Sequence, residues 1–141
     1  MKGCTLWLGN YDGTNQVETH VFFVLGSSWT EETDDKLSVG RSALGSAYLD
    51  EMIYAVGGRD SASNALATVQ KYDGYSWSDS ASMNVARRDV AVAAFSGGVY
   101  AAGGQGTTSS GSSALRTMEK FDGTSWASTS SMLTARVSMG V

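Results

Sequence analysis

The chain has 141 residues, a length for one domain, with 42% hydrophobic residues, no proline and a net charge of −4 at pH 7. Four Trp, six Tyr and four Phe exclude a disordered chain, and the acidic balance without a Lys/Arg block excludes a phosphate-gripping nucleic-acid binder. One cysteine, Cys4, excludes an intrachain disulfide, and the most apolar run, VFFVL at 21–25, is too short to span a bilayer.

In chain order, the first predicted strand is LWLGN, Leu6 to Asn10. A polar loop follows, Asn10 to Gln16, and then the VFFVL strand and a strand around Trp29. EETDD, Glu31 to Asp35, reads as a solvated acidic loop. From Arg41 the pattern restarts. Small residues lead to YAVGG (Tyr54 to Gly58), a loop spans Arg59 to Asn64, and YDGYSW covers Tyr72 to Trp77. From Arg87 it restarts again, with RRDVAVAAF ending at Phe95, a Gly97-Gly98 turn and VYAAGG ending at Gly104. The Ser/Gly/Thr-rich loop Gln105 to Ser113 follows, then the strand ALRTMEKF, and FDGTSW over Phe121 to Trp126. RVSMGV begins the pattern a further time at Arg136. Alternation and β-branched or aromatic content predict strands throughout, and no stretch carries a helical period.

The tryptophans Trp29, Trp77 and Trp126 are 48 and 49 residues apart. After each comes an apolar residue with Arg four positions on: Leu37 and Arg41, Met83 and Arg87, Met132 and Arg136. The segment from Arg41 to Gly57 aligns with Arg87 to Gly103 without a gap. A unit of four short strands at this period implies an all-β propeller blade. Gly9, Gly57, Gly58, Gly103 and Gly104 mark the end of strand two. Asp73-Gly74 and Asp122-Gly123 are expected to make type I′ turns, with both central residues at positive φ. Small residues at Ala43, Gly45, Ala91, Ala93 and Ala94 suit a crowded central axis. Trp29, Trp77 and Trp126 are expected to fill the space between sheets.

This pattern resembles the kelch-repeat family of β-propellers: a double glycine after strand two, an aromatic-Asp pair ending strand three, a Trp in strand four, then Met-x-x-x-Arg. The resemblance covers essentially the whole chain. It weakens in the first copy, where Asn10 replaces the second Gly and Val24-Leu25 replace the aromatic-Asp pair. It implies an all-β fold with about three blades, in units of about 1–40, 41–86 and 87–135, while 136–141 start a further strand. Three blades do not close alone. Because the units are permuted at the termini, the expectation is either a piece of a larger propeller or a homodimer completing six blades.

Few residues offer chemistry. His20 is the single histidine, and metal sites and Ser-His-Asp triads need more than one such group. Kelch enzymes with a copper centre use two His ligands, which this chain lacks. Cys4 reads as a small core or edge residue. YDGTNQVE, Tyr11 to Glu18, lacks the ligand spacing of a calcium loop. No catalytic residue, metal or cofactor is expected. The repeated Arg41, Arg87 and Arg136, with Arg88 and Arg59 nearby, have two readings. They tie blades together through backbone carbonyls, or they ring one mouth of the propeller. The resemblance implies that loops before strand one and after strand two form the partner-binding face. Arg41, Arg59, Asn64, Arg87, Arg88, Gln105 and Arg136 are the candidates, and they suit an acidic protein or peptide segment. A protein-binding scaffold is the leading expectation. The alternatives are a sugar-active or sugar-binding propeller resembling a sialic-acid mutarotase, or a purely architectural segment. Without a leader or spanning segment in view, the expected location is the cytoplasm.

Overall fold

The computed structural model describes residues 37–108 and 111–138, and before these only the backbone of five short strands. In chain order the strands are β1 (Cys4–Thr5), β2 (Asn10–Tyr11), β3 (Val17–Glu18), β4 (Val21–Leu25) and β5 (Ser28–Glu32). The first full sheet is β6 (Gly45–Leu49), β7 (Met52–Val56), β8 (Val69–Tyr72) and β9 (Trp77–Ser80). The second is β10 (Ala91–Phe95), β11 (Gly98–Ala102), β14 (Met118–Phe121) and β15 (Trp126–Ser128). Between β11 and β14 the chain makes a separate ribbon, β12 (Gln105–Thr108) with β13 (Gly111–Ala114). Every pairing is antiparallel, and no helix occurs among the described residues. Both four-stranded sheets run in simple meander order, as a kelch blade does. The fold is therefore all-β, in antiparallel blade-like sheets.

The repeat is visible in the register. Tyr72 lies opposite Trp77 and Phe121 opposite Trp126. In the N-terminal three-stranded sheet, β1-β4-β5, Val24 lies opposite Trp29 in the same way. There β1 meets β4 with Thr5 opposite Phe22, two residues from where the alignment of the repeats would put it.

The core lies between the two four-stranded sheets. Tyr54, Val56, Val69 and Met83 come from the first side, and Val90, Val92, Val99, Ala101, Phe121 and Trp126 from the second. Strands with both faces covered read as continuous apolar runs, which explains MIYAV in β7. Tyr54 meets the edge of Phe121 at 5.6 Å, and Phe121 stacks on Trp126 at 5.4 Å. The Trp126 indole donates to Ala81 O on the connection between the sheets, at 2.9 Å. Trp77 holds the corresponding place on the other side of the first sheet, packing on Ile53 and Tyr72.

Where the sheets meet, spacing is tight. A Cβ on Gly45 would lie 2.3 Å from Val92 Cγ2. The double glycines sit at positive φ beneath the connection to the next sheet: a Cβ on Gly57 would lie 2.5 Å from Arg87 O. A backbone relay links successive inner ends, with Asp89 N donating to Ala43 O (2.8 Å) and Ser138 N to Asp89 O (3.0 Å).

Three sequence expectations need correction. In the Asp-Gly turns only the glycine is left-handed, Gly74 at φ 96° and Gly123 at φ 101°. Four residues separate the strands, and the Asp side chain does the work of a second turn. Asp73 Oδ1 accepts from Tyr75 N and Ser76 N at 2.8 Å each, and Asp122 Oδ1 from Thr124 N and Ser125 N. The two-residue turns with both φ positive lie elsewhere, at Asp50-Glu51 and at Ser96-Gly97 rather than Gly97-Gly98. Finally, within the expected loop Gln105 to Ser113, Gln105–Thr108 pairs with Gly111–Ala114 as the β12–β13 ribbon, its Thr residues suiting a strand.

Candidate partner-binding face

The residue after each repeated Arg pairs with the residue after each double glycine. Ser42 N donates to Arg59 O (3.0 Å) and Arg59 N to Ser42 O (2.8 Å). Arg88 and Gln105 exchange the same bonds at 3.0 and 2.7 Å. The segment before strand one and the loop after strand two are therefore stitched side by side at one end of each sheet.

Side chains extend this stitching. Arg88 donates from Nε and Nη2 to Gln105 Oε1 at 3.1 and 2.8 Å. Its Nη2 also reaches Ser112 Oγ on β13 at 3.2 Å, and its Nη1 reaches Ser63 O of the preceding unit at 3.3 Å. Arg88 thus spans two loops of neighbouring units. Asp89 Oδ2 lies 4.0 Å from its Nε. One unit back, Arg59 Nε donates to Ser42 Oγ at 3.1 Å. Asn64 closes the 60–64 loop on Asp60, its N and Nδ2 donating to the two carboxylate oxygens at 2.8 and 2.9 Å. The Asn64 side-chain bond, then its backbone bond, hold the Asp60 carboxyl below its ordinary pKa. Arg59, Asn64, Arg88 and Gln105 are thus brought together on one loop face.

Arg41 and Arg87 are not on that face, which corrects the expectation that they ring a mouth. Their exposures are 1% and 0%. Arg87 Nη1 donates to Gly103 O (3.0 Å) and Thr117 O (2.8 Å), and Arg41 Nη1 to Gly57 O (3.1 Å) and Thr68 O (2.9 Å). Each guanidinium bridges two carbonyls where strands two and three part, and Thr68 O and Thr117 O also accept from Gly57 N and Gly103 N. Burial lowers the Arg41 pKa, and Asp79 opposes that shift. The backbone of Arg87 meanwhile bonds to the unit before, its N to Leu66 O and its O from Gly58 N. Arg87 therefore ties two units, its backbone to one and its side chain to the next.

The same backbone bonds hold Arg136, from its N to Leu115 O (3.1 Å) and from Gly104 N to its O (2.8 Å). Its side chain is exposed.

Sequence reasoning missed Glu119. It is 1% exposed and pairs with Arg87 Nη2 at 3.0 Å. It also receives Asn84 N (2.7 Å), Asn84 Nδ2 (2.8 Å) and Val85 N (3.1 Å) from the connection between sheets. Gln70 fills the same position in the first sheet, accepting from Arg41 and donating to Ser38 Oγ at 2.7 Å and Asp79 Oδ1 at 3.0 Å. The detectable signal was the polar second residue shared by VQKY and MEKF. The side chains of Gly9, His20, Trp29, the Asn10 to Gln16 loop and EETDD lie outside the described residues. Among the described residues no three His, Cys, Asp or Glu side chains gather as a metal site, and no helix is long and apolar enough to cross a membrane.

The family model for the Kelch motif matches residues 40–84, which cover the first four-stranded sheet with the connections on both sides of it. No curated protein matches the chain. The second four-stranded sheet repeats the matched one in strand order, double glycine, buried arginine and turn, so the Kelch motif found at residues 40–84 recurs in form in the next unit.

Proposed function

We propose that the chain is a protein- or peptide-binding scaffold. It is built from units of about 1–40, 41–86 and 87–135, with 136–141 starting a further strand, works in the cytoplasm without catalysis, and uses the loop face around Arg59, Asn64, Arg88 and Gln105. The kelch motif is commonly a scaffold for protein interactions, which supports this reading. The observation that carries it is Arg88. Its contacts to Ser63 O and Ser112 Oγ, at 3.3 and 3.2 Å, are long bonds to neutral acceptors at the surface. A carboxylate of an acidic segment replaces them with shorter, charge-assisted bonds. Arg59, exposed one unit away with its Nε donating to Ser42 Oγ, offers a second cation at the repeat spacing.

An acidic peptide library with a fluorescent label tests this by anisotropy. Binders are expected to lose at least tenfold in affinity in Arg59→Ala and Arg88→Ala, with the melting temperature of Arg59→Ala unchanged. Affinity that survives both substitutions overturns the reading. We further propose that two copies complete a six-bladed ring. The exposed Arg136 and the half-buried Tyr100, Ala102, Met118 and Met132 support this, because they repeat a face that is covered between the first two full sheets.

A further inference from the structure

Gln105 and Arg88 face each other across a pair of backbone bonds, Arg88 N to Gln105 O at 3.0 Å and Gln105 N to Arg88 O at 2.7 Å. Gln105 opens β12, and in the β12–β13 ribbon Thr107 lies opposite Ser112. Side chains two apart on a strand share a face, as do those directly opposite, so Gln105 and Ser112 stand on one face of the ribbon. Arg88 lies across that face and bonds to both.

The guanidinium is gripped along one edge. Its Nε and Nη2 both donate to Gln105 Oε1, at 3.1 and 2.8 Å. Asp89 approaches the same edge, with Oδ2 4.0 Å from Nε. The Nη1–Nη2 end meets Ser63 O and Ser112 Oγ at 3.3 and 3.2 Å, longer than either bond to Gln105. That end carries the paired donors that a carboxylate accepts. The Gln105 amide, with its oxygen on Arg88, adds two N–H donors of its own at Nε2. Asp60, in the loop that carries Ser63, is tied to Asn64 N and Nδ2.

The gripping residue is neutral, and this decides what Arg88 can do. A glutamate at 105 would reach the same edge and form an ion pair that cancels the charge. The interior arginines have such a carboxylate: Glu119 lies on Arg87 directly, and Asp79 stands behind Gln70 for Arg41. On the loop face the acceptors within hydrogen-bond reach are neutral, Gln105 Oε1, Ser112 Oγ and Ser63 O for Arg88, and Ser42 Oγ for Arg59. An arginine fixed in direction with its charge intact is a preorganised receptor for an anion.

We propose that Gln105 is a positioning and specificity residue. On a loop face that binds an acidic segment, the reading on which this rests, it aims the Nη1–Nη2 end of Arg88 at a ligand carboxylate between Ser63 and Ser112. It does so without cancelling the cation.

The tightest-binding peptide of the labelled acidic library, titrated by anisotropy into three variants of the full chain, tests this. Gln105→Glu is expected to lose affinity by about tenfold or more with an unchanged or raised melting temperature, because its carboxylate takes the cation. Gln105→Met, similar in size without the acceptor, is expected to lose about three- to tenfold by freeing the guanidinium. Thr124→Glu adds the same charge in the turn at the opposite end of the sheet and is expected to stay within about twofold. Nitrogen-15 spectra of the free protein give a readout without ligand. The Arg88 Nε–H signal, identified by its loss in Arg88→Lys, is expected to persist in Gln105→Glu and to broaden or vanish in Gln105→Met. If Gln105→Glu does not fold, Gln105→Met and its signal carry the test. A residue that only props up the loop predicts the reverse order of affinities, since glutamate holds an arginine more firmly than glutamine does. Gln105→Glu binding as well as the unaltered chain, or an Arg88 signal unmoved in Gln105→Met, overturns this role of Gln105 and leaves the loop-face reading standing. A library with no binder overturns that reading, and this role with it.

Discussion

At the scale of single residues, the connection between units depends on one buried ion pair and its hydrogen bonds. Glu119 accepts from Arg87, Asn84 and Val85, so its truncation strands a guanidinium that is 0% exposed. Breaking one side of such a pair leaves an uncompensated charge. Glu119→Ala is expected to lower stability by about 3–5 kcal/mol in urea denaturation. Glu119→Gln is expected to lose clearly less, because Gln70 already serves Arg41 in the first sheet. The turn aspartates give a pH signature. Asp73 is held below its ordinary pKa of 3.8 by the N–H groups of Ser76 and then Tyr75, and Asp122 by those of Ser125 and then Thr124. A depressed folded-state pKa means stability that is complete above the unfolded value and is lost as pH falls through the folded one. The melting gap between the unaltered chain and Asp73→Ala with Asp122→Ala is expected to be full near neutral pH. It should shrink as pH falls below about 3.8. A gap that stays constant into acid would show that the carboxylates are not the turn acceptors.

At the scale of elements, two glycines of one chain behave oppositely. Gly45 carries ordinary φ but no room, since a Cβ would meet Val92 Cγ2 at 2.3 Å and Val92 Cβ at 2.8 Å. Overpacking here forces β6 away from the second sheet, and Gly45→Ala is expected to lose about 1–3 kcal/mol. Gly74 has open space but φ of 96°, so Gly74→Ala is expected to lose only about 1–2 kcal/mol, from backbone strain. Thermal or chemical denaturation of the two variants, together with Gly45→Val, separates the causes: a larger side chain worsens the first site steeply. The tryptophans differ in the same spirit. Trp126 is 7% exposed with its indole satisfied by Ala81, whereas Trp77 is half-buried. Trp126→Ala is expected to lose about 3–5 kcal/mol, and Trp77→Ala less, in the same assay.

At the scale of the molecule, an assembly that forms from copies links stability to concentration. If two copies assemble as proposed, the melting temperature is expected to rise as protein concentration increases, by mass action. Much of the architecture was legible in the residues themselves. Gly-Gly, Asp-Gly, Trp and the spaced Arg each answer a local demand: a left-handed φ, a turn acceptor, a wide gap between sheets, a set of strand-end carbonyls. Such demands recur with every unit, so the period, the all-β class and the four-strand unit could be read without coordinates. The direction of each arginine could not. Arg87 and Arg88 are neighbours of the same type, yet one is buried between strands and the other spans two surface loops. Alternation along the chain sends adjacent side chains to opposite sides, and only the packing of the sheets decides which side is interior. Glu119 was hidden for the same reason, since its partners Asn84, Val85 and Arg87 come from 32 to 35 residues away. The sequence by itself determined the repeat and the blade, because those rest on backbone geometry within a few residues. The tertiary structure alone decided which polar groups are buried as ties and which are left on the loop face, because burial depends on what the neighbouring sheet covers.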